Sequence, residues 1–257
     1  VGDELYLLCE SGVVGEISGV FESWGRPMKV NVLGSITGAN KTPLNLKDYK
    51  LNVQNKTFKQ APLIIFLGTR MDSGKTTMAC KIGHNFSLSG KNVAGVKVTG
   101  VAFSQDLMKL KDAGVKSIYD FVDMGLPSTC NGNSDEVVDS ALKLVTLANT
   151  HNPDCIMVEF GDAVLGEYHV ADILQNDKFN SQITAVILAA NDLAGIAGTI
   201  QILAKWGIKV DLITGPVANS KIGVNLINKY FQIPAESNQH EILKTLDILQ
   251  HKIFNKK

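Results

Sequence analysis

One short segment constrains the fold more than any other feature, because it joins an apolar run to an amphipathic one. It reads GTRMDSGKTT over residues 68–77 and follows the apolar residues 63–67. After it, residues 75–88 place Met78, Ile82 and Phe86 at helical spacing, which predicts a helix with one apolar face. In a glycine-containing loop between a strand and a helix, backbone N–H groups and the helix N-terminus converge on an anion. The segment therefore predicts a phosphate-binding loop (P-loop) for a nucleoside triphosphate with Mg²⁺.

An alternation of strands and helices continues from this loop to the end of the chain. Strands are predicted at 63–67, 93–98, 155–159, 183–189 and 209–214, and helices at 75–88, 134–150, 192–206 and 238–254. Such alternation indicates an α/β fold with a mostly parallel sheet and flanking helices, here a P-loop NTPase domain over residues 61–257.

The first 50 residues lack this alternation. Short β-rich runs at 5–9, 13–21 and 28–33 are separated by glycines and Pro27, which predicts a small all-β module. Residues 51–60 are interpreted as a linker. Two roles are considered for this module: it could mediate oligomerisation, or it could cover the active site.

Composition indicates which classes of partner and which compartment fit the chain. Lys and Arg together number 25, as do Asp and Glu, so there is no basic excess to predict nucleic-acid binding. The four cysteines are far apart and form no CxxC pair, which favours a reducing cytoplasm over a disulfide framework or a zinc site. No apolar run reaches the roughly 18 residues of a membrane span. Whether a segment precedes Val1 is an open question.

Within the loop, two residues have the most specific expected roles. Lys75 is predicted to reach the β- and γ-phosphates, and the Thr76 hydroxyl to ligate Mg²⁺. The other residues predicted to bind nucleotide are Gly68, Thr69, Asp72, Ser73, Gly74 and Thr77. Thr69 stands where the first glycine of the usual motif would be, with Gly68 one place earlier. The alternative is a chance Gly-Lys-Thr at a helix start.

Charged residues end two other predicted strands, and the carboxyl ends of parallel strands share one edge of a sheet. Lys97 ends the second strand, where the alternative is a solvated lysine. Glu159 ends the apolar strand 155–159 as a Walker B acid does, and is predicted to hold the metal; the alternative is an acid kept for solubility. Asp162 is a weaker candidate.

These motifs together resemble the dethiobiotin synthetase-like branch of the SIMIBI class of P-loop proteins, over about residues 61–236. That family carries a Gly-Thr-x-x-x-x-Gly-Lys-Thr loop, which matches residues 68–76 and accounts for the displaced glycine. The family's later motifs are similar to residues 97–100, 158–162 and 215–219.

The resemblance implies a set of roles. Lys75 and Lys97 would contact phosphate or carbamate oxygens, and Asn219 would contact adenine. Thr76 and Glu159 would bind Mg²⁺, and Asp106 would match a second metal carboxylate, with Asp112 as the alternative. Either acid is also interpretable as a surface residue or a helix cap. The chain has no Asn/Thr-Lys-x-Asp tetrad, so ATP is expected rather than GTP.

Two departures from the family point away from biotin synthesis. Arg70-Met71 and residues 160–162 replace family residues on the substrate side of the site. Arg70 also occupies the position where ParA- and MinD-like relatives carry a second lysine, often reaching phosphate across a dimer. It is therefore predicted to contact phosphate, in a homodimer or within its own chain, with a solvated arginine as the alternative.

The expected function is an ATP-dependent ligase or phosphotransferase that acts on a small-molecule acceptor, with Lys75, Lys97 and Arg70 as catalytic residues. One alternative is a nucleotide switch that acts on a partner protein in metal or cofactor maturation. A third is a binding module with little turnover.

Overall fold

The computed structural model of the chain describes residues 4–9, 11–20, 25–53 and 59–255. Its nine strands in these ranges are β1 Glu4–Leu7, β2 Val14–Gly15, β3 Lys29–Asn31, β4 Leu63–Gly68, β5 Val93–Lys97, β6 Ser117–Asp120, β7 Cys155–Glu159, β8 Ile183–Ala189 and β9 Leu212–Thr214. The α-helices described are α1 Lys75–Leu88, α2 Ser104–Asp112, α3 Ser134–Asn149, α4 Val170–Gln175, α5 Asp177–Asn180, α6 Leu193–Lys205, α7 Lys221–Phe231 and α8 Leu243–Leu249.

Six of these strands form one sheet in the order β6-β5-β7-β4-β8-β9. All of its neighbouring pairs are parallel, so the predicted α/β architecture is confirmed. Because parallel strands end at one edge, the loops after β4, β5, β7, β8 and β9 lie together there. This edge carries the candidate site.

Helices cover both faces of the sheet, and alternate residues of β4 enter two different cores. Ile64 and Phe66 pack with the α1 stripe of Met78, Ile82 and Phe86, all of which are buried as predicted. The other residues of β4 pack in a larger core on the opposite face. Burying each large apolar side chain contributes about 1.5–3 kcal/mol, and the two cores hold β4 in place beneath the loop.

Several elements differ from the sequence-based expectations. The short strand β6 and the helices α4, α5 and α7 were not predicted, and β9 occupies only the last three residues of the strand expected at 209–214. The C-terminal helix begins at Leu243 instead of residue 238 and ends as a π-helix, Gln250–Phe254. The Glu236 carboxylate accepts the Lys244 and Thr245 N–H groups, which satisfies the first turn of a helix that begins at Leu243.

The expected small antiparallel sheet is present near the N-terminus, in the order β2-β1-β3. Its strands are shorter than predicted, and Phe21 and linker residues 54–58 lie outside the described residues. Two contacts join the segment after β3 to the α/β domain. Lys47 pairs with Glu136 of α3 at 2.7 Å, and the Leu51 N–H donates to the Asp123 carbonyl. None of the helices in the described ranges has the length and apolarity needed to cross a membrane.

Candidate functional site

The loop between β4 and α1 leaves the N-terminus of a 14-residue helix open. Gly74 precedes the helix with a left-handed φ of 94°, and no side chain caps the first turn. Asp72 also has a left-handed φ, of 56°. The first N–H groups of α1 therefore have no side-chain acceptor, and together with the helix dipole they favour an anion at this position.

The displaced glycine has a steric explanation. A Cβ on Gly68 would lie 2.6 Å from both Lys75 Nζ and Ser73 Oγ and 3.0 Å from the Arg70 carbonyl, so glycine gives the loop room to fold back over the end of β4. Thr69 is turned toward the loop after β8, where its hydroxyl accepts the Asn191 N–H at 3.3 Å. Thr69 therefore fastens the loop, while Gly68 provides the close approach.

The Lys75 side chain is buried at the centre of the loop and bonded to two backbone carbonyls. Its Nζ donates to the Arg70 oxygen at 3.0 Å and to the Asp162 oxygen at 2.9 Å. Burial lowers the pKa of this ammonium, while the nearby Glu159 and Asp162 carboxylates oppose that shift. The Lys75 ammonium is therefore held by two carbonyl acceptors at the open end of α1.

Thr76 and Glu159 form a compact oxygen pair beside Lys75. The Thr76 hydroxyl donates to Glu159 Oε1 at 2.5 Å, and Glu159 Oε2 is buried without a partner among the described residues. Burial raises the pKa of Glu159, and the Thr76 hydrogen bond opposes that shift. An unpartnered carboxylate oxygen next to a hydroxyl fits Mg²⁺, which prefers oxygen ligands. The described residues contain no group of three His, Cys, Asp or Glu side chains that would hold a metal ion unaided.

The raised pKa of Glu159 predicts that this residue costs stability in the ligand-free protein. In chelator, we expect Glu159→Gln to unfold at a temperature higher by roughly 2–4 °C at neutral pH. Because folding raises the pKa of Glu159, the stability of the folded wild type decreases as pH rises through that pKa. In acid the carboxyl is neutral, as the Gln amide is, so the two proteins should then unfold at similar temperatures. Thermal unfolding across pH tests this; a Gln variant that is less stable at neutral pH would contradict it.

A row of charges crosses the sheet at the same edge. Lys97 is in register with Glu159 on one neighbouring strand and with Asp120 on the other. The buried Lys97 ammonium forms an ion pair with Asp106, near the start of α2. Burial raises the pKa of Asp120, nearby Asp123 adds to the rise, and Lys97 opposes it. Lys97 therefore stands between carboxylates and compensates their charge.

One cleft of about 500 Å³ brings most of the predicted site residues together. Those that line it are Asp72, Ser73, Gly74, Lys75, Thr76, Thr77, Lys97, Asp106, Glu159 and Asp162. Asp112 is exposed at the far end of α2, and Arg70 is exposed with its Nε donating to the Met71 carbonyl at 3.2 Å. Asp106 points at the Lys97 ammonium, so its metal role remains a prediction, as does the phosphate role of Arg70.

Comparison with known proteins gives similarity at the level of fold. No protein-family model and no curated protein matches the chain. The solved structure of chloroplast FtsY from Physcomitrella patens aligns with 79% of this chain and 70% of its own, at 14% identity and a TM-score of 0.50. The chain has a P-loop NTPase fold, with a mostly parallel six-stranded sheet flanked by helices.

Two further structures are similar at lower TM-scores. The signal recognition particle receptor FtsY from Elizabethkingia anophelis has 19% identity over 78% of this chain, with a TM-score of 0.47. The signal recognition particle 54 kDa protein from Aeropyrum pernix K1, solved in complex with GDP, has 15% identity over 74%, with a TM-score of 0.49. The chain spans 66% of the first protein, just under two thirds, and 45% of the second.

Within this fold, the structure adds cleft residues that sequence reasoning missed. These are Cys9, Val101, Phe103, Gln105, Lys109 and Tyr168, and they join Met71, Gly100 and Gly161 of the motifs described above. Thr99 lies beneath them and accepts the Gly161 N–H at 2.9 Å, and a Cβ on Gly161 would lie 2.6 Å from the Thr99 carbonyl. Gly100 and Gly161, which lie three and two residues after the ends of two neighbouring strands, were the sequence signal for this close contact.

Asn219 lies outside the cleft, on the opposite side of the P-loop. Its segment begins at Gly215, where a Cβ would lie 2.5 Å from the Ser73 carbonyl. Asn219 Oδ1 accepts the Ser237 hydroxyl at 2.8 Å, and Asn238 Nδ2 donates to the Gly74 carbonyl at 3.3 Å. The loop after β9 and the segment before α8 are thereby both joined to the P-loop.

Proposed function

We propose that the protein binds a nucleoside triphosphate, ATP in preference to GTP, with Mg²⁺, and transfers its γ-phosphoryl group to a small-molecule acceptor. The observation that supports this best is the buried, unpartnered oxygen of Glu159 beside Thr76 at the open N-terminus of α1. A buried polar atom without a partner is costly, and a bound cation would relieve that cost.

The residues around that oxygen have distinct tasks. Lys75 would exchange its two carbonyl acceptors for phosphate oxygens, and Thr76 and Glu159 would hold Mg²⁺ between them. The ion, when bound, neutralises the charge that develops on the phosphates. Lys97 lies on the acceptor side of the cleft, where its ammonium would stabilise the transferring group once Asp106 releases it.

The acceptor would occupy the part of the cleft beyond the phosphates. That part has an apolar wall, Val101, Phe103 and Tyr168, and a cationic residue, Lys109. We place the protein in the dethiobiotin synthetase-like branch on its loop spacing, with an acceptor other than the biotin precursor because Arg70-Met71 and Phe160 differ. The balanced charge disfavours nucleic acid as the acceptor.

Two measurements test the function. Calorimetry should show ATP binding that tightens with Mg²⁺ and weakens in chelator. A multiple-turnover assay should then show ADP release that rises when pooled small metabolites are added. Absence of nucleotide binding would refute the proposal, and turnover insensitive to metabolites would exclude the transferase form of it.

The alternative, a nucleotide switch acting on a partner protein, is favoured by one contact. Lys75 bonds the Asp162 carbonyl, so phosphate binding at Lys75 would change a contact to the loop after β7. Asp162 has a left-handed φ of 61°, and the loop continues to Tyr168 in the cleft wall. Nucleotide-dependent protection of residues 160–168 in hydrogen exchange, with slow turnover that metabolites leave unchanged, would favour this function.

A homodimer with Arg70 reaching the partner's phosphate is part of the proposal. The exposed Arg70 guanidinium leaves its own cleft, consistent with a contact to a second copy. We expect Arg70→Ala to weaken ATP-dependent dimerisation and turnover by roughly tenfold, and mixing it with Lys75→Ala protein to restore activity. Light scattering with and without ATP measures the first effect. A fully active Arg70→Ala variant would show that Arg70 is a solvated residue. If mixing with Lys75→Ala protein failed to restore activity, Arg70 would contact phosphate within its own chain.

A further inference from the structure

The face of α2 that lines the cleft carries an amide and an ammonium bonded to each other. Gln105 and Lys109 are about one helical turn apart, and both are exposed and line the cleft. Lys109 Nζ donates to Gln105 Oε1 at 3.1 Å. Because an ammonium cannot accept a hydrogen bond, this contact places the amide oxygen toward Lys109 and turns the Nε2 donors away from it. The pair therefore offers a ligand the remaining ammonium hydrogens and the amide hydrogens.

Asp106 lies on the same face of α2 but bonds a different lysine. It stands three residues before Lys109, a spacing at which an aspartate and a lysine of one helix can pair. Its carboxylate forms an ion pair with Lys97 of β5 instead. Lys109 forms no ion pair with any of the described residues. The charge of Lys109 is therefore left for an anion that enters the cleft.

Two ammonium groups thus reach the cleft from either side of Asp106. Side chains three residues apart on a helix have Cβ atoms about 5–6 Å apart, so Lys109 and the Lys97–Asp106 ion pair are within the length of one small molecule. The turn between the two lysines adds Val101 and Phe103 to the cleft wall. A ligand with two anionic groups on a short apolar chain would match this arrangement.

A carboxylate is the acceptor group that suits Lys97. A hydroxyl loses a proton as it attacks phosphorus, which calls for a base. The Asp106 carboxylate is engaged with Lys97, and the Glu159 carboxylate with Thr76. A carboxylate already carries the attacking electron pair, and its charge is attracted to the Lys97 ammonium.

We propose that the acceptor is a dicarboxylate, with one carboxylate beside Lys97 and the other bound by Lys109 and Gln105. This rests on the proposed function. In the transfer, an oxygen of the first carboxylate forms a bond to the γ-phosphorus while the bond from that phosphorus to the bridging oxygen breaks. The electron pair of the broken bond leaves with ADP, the product is an acyl phosphate, and no proton moves. The second carboxylate is unchanged and fixes the acceptor in place.

ADP release from MgATP tests this with succinate, glutarate and adipate as probes, each compared with its own monoamide. We expect a dicarboxylate to accelerate ADP release with a KM at least roughly tenfold lower than that of its monoamide, the factor for one charge-assisted contact. Hydroxylamine added to the assay should displace phosphate from the acyl phosphate and give a hydroxamate, which reports the bond that formed.

Lys109→Met should raise the dicarboxylate KM by roughly tenfold to a hundredfold, alter kcat less, and leave the monoamide KM unchanged. Lys109→Arg keeps the charge and should retain most of the preference. The matched control is Lys111→Met, since Lys111 is an exposed lysine of the same helix that does not line the cleft. It should leave every KM at the wild-type value.

The outcomes separate this inference from the proposed function. If the wild type does not bind MgATP, the proposed function is wrong and the inference falls with it. If it binds MgATP but none of the dicarboxylates accelerates ADP release, nucleotide binding stands and the dicarboxylate acceptor is refuted. Equal KM values for a dicarboxylate and its monoamide, or a Lys109→Met variant that keeps the wild-type preference, would also refute it.

Discussion

Lys75→Ala should lower the affinity for MgATP by roughly tenfold to a hundredfold, the loss of a charge-assisted contact worth about 1.5–3 kcal/mol, and should abolish turnover. The side chain is buried at the centre of the loop, and its ammonium bonds two carbonyls that it would exchange for phosphate oxygens under the proposed function. Truncation leaves both the carbonyls and the incoming phosphate without this donor. Calorimetry on the folded variant measures the effect.

The same substitution removes contacts that stabilise the loop, so a control must separate binding from folding. Lys75→Met keeps most of the apolar stem and removes only the charge; it should fold as the wild type does and still bind weakly. Lys205→Ala, an exposed lysine in the last turn of α6, is the matched control and should leave affinity unchanged. Unaltered MgATP affinity in a folded Lys75 variant would show that phosphate binds elsewhere.

Glu159→Gln should reduce Mg²⁺-dependent turnover by roughly a hundredfold, the scale on which removing one preorganised electrostatic group slows catalysis. The amide oxygen can still accept the Thr76 hydroxyl, so the local geometry is kept while the charge is lost. Nucleotide binding in chelator should be nearly unchanged, and the Mg²⁺ concentration for half-maximal turnover should rise. A magnesium titration of activity measures both quantities.

Glu167→Gln provides the comparison for that experiment. Glu167 lies on the loop that follows β7 and is exposed, so its loss should alter neither turnover nor the Mg²⁺ requirement. If Glu159→Gln kept the wild-type magnesium profile, the carboxylate would have no role at the ion.

The sequence predicted the elements that are strongly periodic or continuously apolar. The bounds of α1, β7 and β8 agree with expectation. The apolar residues of α1 recur at helical spacing, and β7 and β8 are continuous apolar runs, so both patterns can be read from the sequence. The strand β6 was missed because Ser117–Asp120 is short, lies at the sheet edge and is only partly buried. Parallel packing of strand ends also predicted that Lys97 and Glu159 meet.

The cleft wall was less predictable because it depends on contacts between distant segments. Nothing in the order of residues shows that Cys9 approaches the P-loop or that Tyr168 faces it. The hydrogen bond from Ser237 to Asn219 joins residues 18 positions apart. The ion pair between Lys97 and Asp106 depends on the conformation of the turn between β5 and α2. The spacing of apolar residues does not predict that conformation.

The division of the cleft between loops has a consequence for how such a protein diversifies. The phosphate half is made by one loop whose glycine and lysine fit each other within van der Waals limits, which leaves little freedom to vary. Under the proposed function, the acceptor half would be made by the turn after β5, by Tyr168 and by Cys9, and of these only Tyr168 packs against the core that holds β4. If the proposed transfer is correct, gene duplicates could change the acceptor by exchanging side chains at Val101 and Phe103 while the phosphate loop stays the same.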